Sequence, residues 1–269
     1  MGKDFSTIQV AAEKGVLTIT FRRPELLNAL SEQMSLEIAA ALRTAQRDAA
    51  VRCVVLTGAG RAFCSGQDLH AIQERYSGAA DEPGLDFGAL LRQKYNPVVA
   101  RIRTLEKPVV ACVNGPAVGA GVGLALACDL RICARSAYFK MGFVQLGLVP
   151  DVGATLTLVQ HAGYARAAEL CFLGQELPAD EAFRYGLVNR VVDDEVLPAA
   201  LREITTTLAA LPTRGIGLTK RALNHAWTTT LEDQLEYEAF LQSTAGRTSD
   251  HREGVQAFFE KREARFEGK

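Results

Sequence analysis

The chain has 269 residues, 48% of them apolar and 23% charged, with a net charge of −1. That length lies at the upper end of a single domain, and that composition buries a sizeable core. A near-neutral balance gives no electrostatic attraction to nucleic acid or to an anionic membrane. The six cysteines (Cys53, Cys64, Cys112, Cys128, Cys133 and Cys171) form no close C-x-x-C pair and no Cys/His cluster at zinc-like spacing, so neither a metal site nor a disulfide framework is indicated. The start, MGKDFSTIQV, lacks the apolar run of a signal peptide, and no segment has the ~18 continuous apolar residues of a membrane span. The expectation is a reduced, soluble, cytoplasmic protein.

Along the chain, Leu17, Ile19 and Phe21 alternate with Thr18 and Thr20, which predicts a half-buried strand over Val16–Phe21. Arg22-Arg23-Pro24 ends it. Ser31 is a good N-cap, and Met34, Ile38, Leu42, Ala45 and Ala49 share the face of a following helix. CVVLTGAGRAFCSGQDL reads as a buried strand (residues 53–57) running into a glycine loop. Residues 78–88 read as a mobile loop, with residues 75–88 helping to line the acyl pocket, and residues 90–105 as a helix. KPVVACVNGPAVGAGVGLALACD then repeats strand, glycine loop and helix, and residues 130–133 and 138–141 add two short strands. Strands separated by helices predict an α/β core, here with a recurring β-β-α unit. Beyond about Glu195 the apolar spacing is helical (Ile204, Leu208, Leu211; Leu231, Leu235, Tyr237) and ends in the amphipathic EGVQAFFEKREARF. The chain thus divides into a core of residues 1–194 and a helical region of residues 195–269, which packs on its own core or on a neighbouring subunit.

The two glycine loops, GAGRAFCSGQDL and NGPAVGAGVGLALACD, invite comparison with nucleotide sites. A dinucleotide fingerprint needs Gly or Ala at its sixth position. Counting from Gly119, Gly121 or Gly58 gives Leu124, Leu126 or Phe63, and no GK(S/T) occurs. Each loop alone is either a tight turn or a way of turning N–H groups towards an anion. Together, after two similar strands, they favour a paired-loop site. The four histidines fall in no serine or cysteine triad pattern, and G-x-S-x-G is absent.

FCSGQDL, NGPAVGAGVGLALACDL and LGLVPDVGAT, in that order, resemble the crotonase superfamily of enoyl-CoA hydratases and isomerases. The resemblance runs from EKGVLTITFRRPELLNAL to the terminal EGVQAFFEKREARF. Within it, LTGAGRAFCSGQDL, YNPVVARI, LGLVPD and AGRTSDHREGVQAFFEKR most resemble the ring-epoxide isomerases of bacterial phenylacetate breakdown. The resemblance implies an α/β spiral of repeated β-β-α units with a C-terminal helical trimerisation region, assembled as a homotrimer or homohexamer. It implies an acyl-CoA thioester as substrate, with coenzyme A part of that substrate and no separate cofactor or metal. The backbone N–H groups of Gln67 and Ala120 would hold the thioester oxygen as its enolate forms. Leu27, Ser65, Gly66, Gln67, Asp68, Leu69 and Ala120 would surround coenzyme A and the thioester. Phe258 and Lys261 match residues that reach the coenzyme A of a neighbouring subunit, although Lys261 reads equally well as part of a solvated charged face.

Hydratases of the superfamily carry two glutamates that match Gly123 and Phe143 here, and neither of these can move a proton. Asp151 stands where some of its isomerases keep a proton-transferring aspartate. Residues such as Phe143 and Val149 would raise its pKa, whereas a mere N-cap of a helix over residues 154–159 would lower it. Asp68 also reads as a loop-stabilising carboxylate, Asp129 and Glu106 as structural, and Cys64 as a buried thiol. The expected activity is isomerisation of an acyl-CoA ester, an aryl epoxide or a 3-enoyl chain. The alternatives are a hydratase with unusual residues and a noncatalytic acyl-CoA-binding subunit.

Overall fold

The computed structural model describes residues 5–76 and 86–269. Most of the loop expected over 78–88 lies outside them. The two strands that open the chain, β1 (Ile8–Glu13) and β2 (Val16–Phe21), pair antiparallel. From β2 onward the sheet is parallel: β3 (Cys53–Gly58), β4 (Val109–Val113), β6 (Leu130–Ala134) and β9 (Arg190–Val192) follow in that order. Every residue of β4, and all but Thr57 of β3, is buried, as a parallel strand covered on both faces requires. A second sheet joins β5 (Ala117–Val118), β7 (Tyr138–Lys140) and β8 (Glu176–Pro178). The sequence reading missed β1 because only Ile8 of its six residues is buried, which leaves no alternation to detect.

The crossover from β2 to β3 is α1 (Glu32–Arg47), capped by the Ser31 hydroxyl, which accepts from Met34 N at 3.1 Å. Met34, Ile38, Leu42 and Ala45 are buried against the sheet. Ala49 is not on that face: the helix stops at Arg47, and the Asp48 carboxylate takes the Ala50 N–H in a turn. From the same helix, Glu37 anchors the incoming chain. Its two oxygens accept from the backbone N–H and hydroxyl of both Ser6 and Thr7, at 2.6–3.0 Å, and from Gln33. Burial alone would raise its pKa, but these donors prevail and hold it down at about 2. Glu37→Gln is therefore expected to cost about 2 kcal/mol at neutral pH. Because the folded value lies below the unfolded one, the gap between parent and variant should close as pH falls from 4.5 towards about 2, read as Tm against pH.

Helix α2 (Leu69–Tyr76) follows the first glycine loop. Asp86 then caps α3 (Phe87–Leu90), which passes through a π turn (Leu91–Tyr95) into α4 (Asn96–Thr104). The continuous helix expected over 90–105 is thus interrupted. Pro97 has no N–H to offer residue 93, and Asn96 N reaches back to Leu91 O instead, widening the turn. The second glycine loop leads into the wholly buried α5 (Ala120–Ala127). Helix α6 runs far beyond the expected residues 154–159, over Ala154–Leu173, with a break at Gly163. After α7 (Ala179–Arg184), α8 (Leu197–Ala210) packs across the main sheet. The chain ends in α9 (Thr213–His225), α10 (Leu231–Ala245) and α11 (Ser249–Glu260). Lys220 of α9 ties this region to the core, donating to Ile102 O and to the Asp129 carboxylate, each at 2.7 Å. Leu231, Phe240, Phe258 and Phe259 stay exposed. Among the described residues no helix is long and apolar enough to cross a membrane.

Candidate active site

The two glycine loops lie side by side because they follow the paired parallel strands β3 and β4 and bridge to each other. Cys64 and Ala117 form a parallel bridge, with Val118 N donating to Cys64 O at 2.9 Å. A second bridge joins Leu30 to Gln67: Leu30 N donates to Gly66 O at 2.7 Å and Asp68 N to Leu30 O at 3.1 Å. A trans peptide points its C=O and N–H in opposite directions. With the Gly66 carbonyl held by Leu30, the Gln67 N–H faces the other way, towards the second loop. Ala120 is the first residue of α5, where N–H groups have no intrahelical acceptor. Among the described residues neither the Gln67 nor the Ala120 N–H meets a protein acceptor.

Gly66 makes this approach possible. Its φ is +99°, and a Cβ there would stand 3.0 Å from Val118 O and 3.8 Å from Ala120 N. Gly66→Ala is expected to lower kcat by about 10²-fold, since it strains the peptide that carries one donor and pushes the loops apart; steady-state kinetics with unchanged circular dichroism would check this. Around it, Arg23 holds the buried Asp68 carboxylate at 2.7 Å and Ala29 O at 2.7 Å. Ser65 donates through its N–H to Leu27 O at 3.0 Å and through its hydroxyl to Leu26 O at 3.2 Å. Leu69 is half exposed at the start of α2. The structure therefore gathers Leu27, Ser65, Gly66, Gln67, Asp68, Leu69 and Ala120 in one place. Phe258 and Lys261 lie elsewhere, on α11 and at its C-cap, where Phe258 lines a groove with Pro212, Gln242 and Phe266.

The segment that carries Asp151 packs against α5 one turn along from Ala120, through Val152. The link is Gly123: a Cβ there would fall 2.9 Å from both the Cβ and the carbonyl oxygen of Val152. Residues three apart on a helix share a face and are separated by about 4.5 Å of rise. Val152 fills this socket with only 3% of its surface exposed and a φ of +54°, an uncommon conformation for a β-branched residue. The next residue, Gly153, is the N-cap of α6 and offers no side-chain cap. Asp151 contributes its backbone carbonyl to that helix, accepting from Ala154 N at 2.9 Å, and not its side chain. Its Oδ1 is buried without a hydrogen-bond partner. Burial pushes its pKa up to about 6 and outweighs a hydrogen bond from its own backbone. The N-cap reading is thereby set aside. Val149 is not part of the cause, as it is 78% exposed. Phe143 is buried on a 3₁₀ turn (Gly142–Leu146), 3.7 Å from where a Gly119 Cβ would stand.

One residue of the site went unnoticed in the sequence. Tyr95, at the end of the π turn, is buried, its hydroxyl reaches Leu30 O at 3.5 Å, and the Gln67 side chain interacts with it. Burial pushes its pKa up to about 12, helped by the charges of Glu32, Asp151 and Asp68. The only local signal was Pro97, which marks an irregular turn without saying what that turn presents. The other candidates are structural. Asp129 accepts from Val109 N and Lys220, and Glu106 pairs with Arg214 and Arg221. The buried Cys64 thiol is pushed up to about 11, far from thiolate. A part-buried carboxyl of raised pKa, on a segment packed against the helix that Ala120 opens, suits proton removal next to a carbonyl. Gly123 and Phe143 supply no carboxylate that would pair with it to activate a water.

Residues 11–269 match the enoyl-CoA hydratase/isomerase family, and the chain belongs to it, with the crotonase fold. It is similar to the 1,2-epoxyphenylacetyl-CoA isomerase of Escherichia coli, 47% identical over 257 residues that cover 96% of this chain and 97% of that protein. It is also similar to the crotonyl-CoA hydratase of Syntrophomonas wolfei, at 35% identity over 97% of this chain and 98% of that one. Among solved structures, the enoyl-CoA hydratase of Bacillus anthracis superposes with a TM-score of 0.90 at 33% identity, covering 98% of this chain and 100% of that one.

Proposed function

We propose that this protein isomerises acyl-CoA esters, converting 1,2-epoxyphenylacetyl-CoA to oxepin-CoA in phenylacetate degradation and moving the double bond of 3-enoyl-CoA to the 2-position. The observation that carries this reading is the Asp151 carboxyl, its Oδ1 buried without a partner, on the segment that packs through Val152 against Gly123 of α5, where Gly123 and Phe143 replace a hydratase's acids. The Gln67 and Ala120 N–H groups form an oxyanion hole for the thioester oxygen, each worth about 3–4 kcal/mol in a dry site. Asp151 removes a proton from the carbon α to the thioester, giving the enolate. The strained epoxide opens into the seven-membered ring, and Asp151 returns the proton to the γ carbon. In a 3-enoyl chain the same transfer shifts the double bond into conjugation. Substrate and product have the same composition, so no oxidant, metal or water is consumed.

Coenzyme A lies along Leu27 and Ser65–Leu69 of one subunit and meets Phe258 and Lys261 of the next in a cytoplasmic trimer or hexamer. The exposed Phe258 and Phe259 support that assembly, with residues 195–269 as its oligomerisation region. The test is to supply 1,2-epoxyphenylacetyl-CoA and crotonyl-CoA separately and follow product mass. Conversion of the epoxide at unchanged mass is expected. Water addition to crotonyl-CoA at hydratase rates with the epoxide untouched would replace this reading by a hydratase, and tight binding without turnover by a noncatalytic subunit.

A further inference from the structure

We infer that Tyr95 is a positioning residue, a buried strut that holds the Gln67 donor peptide in register with the Asp151 segment. The inference rests on the isomerase reading above and adds the part that fixes the distance between its two halves. On one side, the Tyr95 hydroxyl stands 3.5 Å from Leu30 O, the same carbonyl that accepts Asp68 N, while Leu30 N holds Gly66 O at 2.7 Å. The Gln67 side chain interacts with the phenol as well, opposing the rise in its pKa. The peptide that presents the Gln67 N–H is thus tied from its backbone and from its side chain, and both ties end at Tyr95. On the other side, Val99 lies one turn further along the same helical run and packs 3.5 Å from where a Gly153 Cβ would stand, two residues past Asp151. Residues four apart on a helix share a face, so Tyr95 and Val99 look towards the site together. The π turn that precedes Pro97 gives Tyr95 this aim, and such turns gather at functional sites. Tyr95 is 4% exposed, so its hydroxyl is satisfied by these partners and not by bulk water.

The variant Tyr95→Phe keeps the ring and removes both ties. Expected is a fall in kcat of about tenfold on 3-enoyl-CoA, the size of a lost hydrogen bond expressed in the transition state, with KM within about twofold. A second variant, Gln67→Ala, keeps the N–H but loses the amide that meets the phenol. It should fall by a similar factor, and the double variant should be no worse than either single one, as for two partners of one interaction. A spectroscopic readout separates positioning from mere stability. Benzoyl-CoA has no α-proton to lose, so its thioester carbonyl stretch reports the donors without turnover. Binding to the parent should lower that frequency, and binding to Tyr95→Phe should lower it less, with Tm unchanged. If the parent shifts the band and Tyr95→Phe shifts it equally, the strut is wrong while the oxyanion hole stands. If the parent does not shift it, the isomerase reading falls and the strut with it. Strictly additive losses in the double variant would also overturn the strut.

Discussion

Replacing Asp151 by Asn is expected to lower kcat on a 3-enoyl-CoA by about 10²–10⁴-fold, the range for loss of a general base, with little change in KM. The amide is nearly isosteric, so the two N–H groups and the proposed coenzyme A contacts should survive. On the proposed mechanism, only the carboxylate form of the parent takes the α-proton. Because burial raises the Asp151 pKa to about 6, kcat/KM should fall with unit slope below that pH and level off above it. The residual activity of Asp151→Asn should lack that limb. Stability should move the opposite way. The folded protein binds this proton more tightly than the unfolded chain, whose ordinary value is 3.8, so folding loses free energy as pH rises from 3.8 to about 6. With part of the carboxyl solvated, about 1–2 kcal/mol is at stake. Asp151→Asn should therefore be more stable than the parent above pH 6, and the difference should vanish towards pH 3.8. A base that stabilises the protein when removed is characteristic of a site that keeps an unpaired polar group for chemistry.

The second large effect is expected at Gly123. If the missing glutamate were all that separates this site from a hydratase, Gly123→Glu would restore hydration. The geometry says otherwise. The first side-chain carbon at that position would meet Val152 Cβ and the Val152 carbonyl at 2.9 Å, and the carbonyl is backbone that cannot rotate away. The segment carrying Asp151 must move by an appreciable fraction of an ångström or more. Displacements of about 1 Å cost on the order of 10²-fold in rate, and overpacking costs about 1–3 kcal/mol in stability. Gly123→Glu should thus lose isomerase activity by about 10²-fold and add no water to crotonyl-CoA, measured by product mass. Gly123→Ala should show a smaller loss of the same kind. The glycine is the socket for Val152, and the strained backbone of Val152 is held because that socket exists.

Much of this was legible in the sequence, for reasons that differ by element. β2 was visible because one of its faces is buried and the alternation shows it, and α1 because Ser31 is both a suitable cap residue and used as one. β1 is nearly all exposed, so no pattern marked it. α6 has apolar residues on all sides, including exposed Leu156, Tyr164 and Phe172, which hides a helical period. The candidate site was legible where motif and backbone coincide, at Gln67, Ala120 and Asp151. What dries Asp151 was not. Val149 looked like its neighbour in the sequence yet faces outward, whereas Val99, Tyr95 and Gly123 come from 28–56 residues upstream and meet the Asp151 segment or its donor loop only after folding.

On the proposed mechanism the enolate is resolved by Asp151 returning a proton, and not by water. Parent and Asp151→Asn should be compared on 3-enoyl-CoA and 2-enoyl-CoA, with product mass recorded in each case. The parent should convert 3-enoyl-CoA to 2-enoyl-CoA at unchanged mass, and Asp151→Asn should hardly do so. A parent that adds the mass of one water to 2-enoyl-CoA at hydratase rates, or an Asp151→Asn variant that isomerises as fast as the parent, would contradict that mechanism.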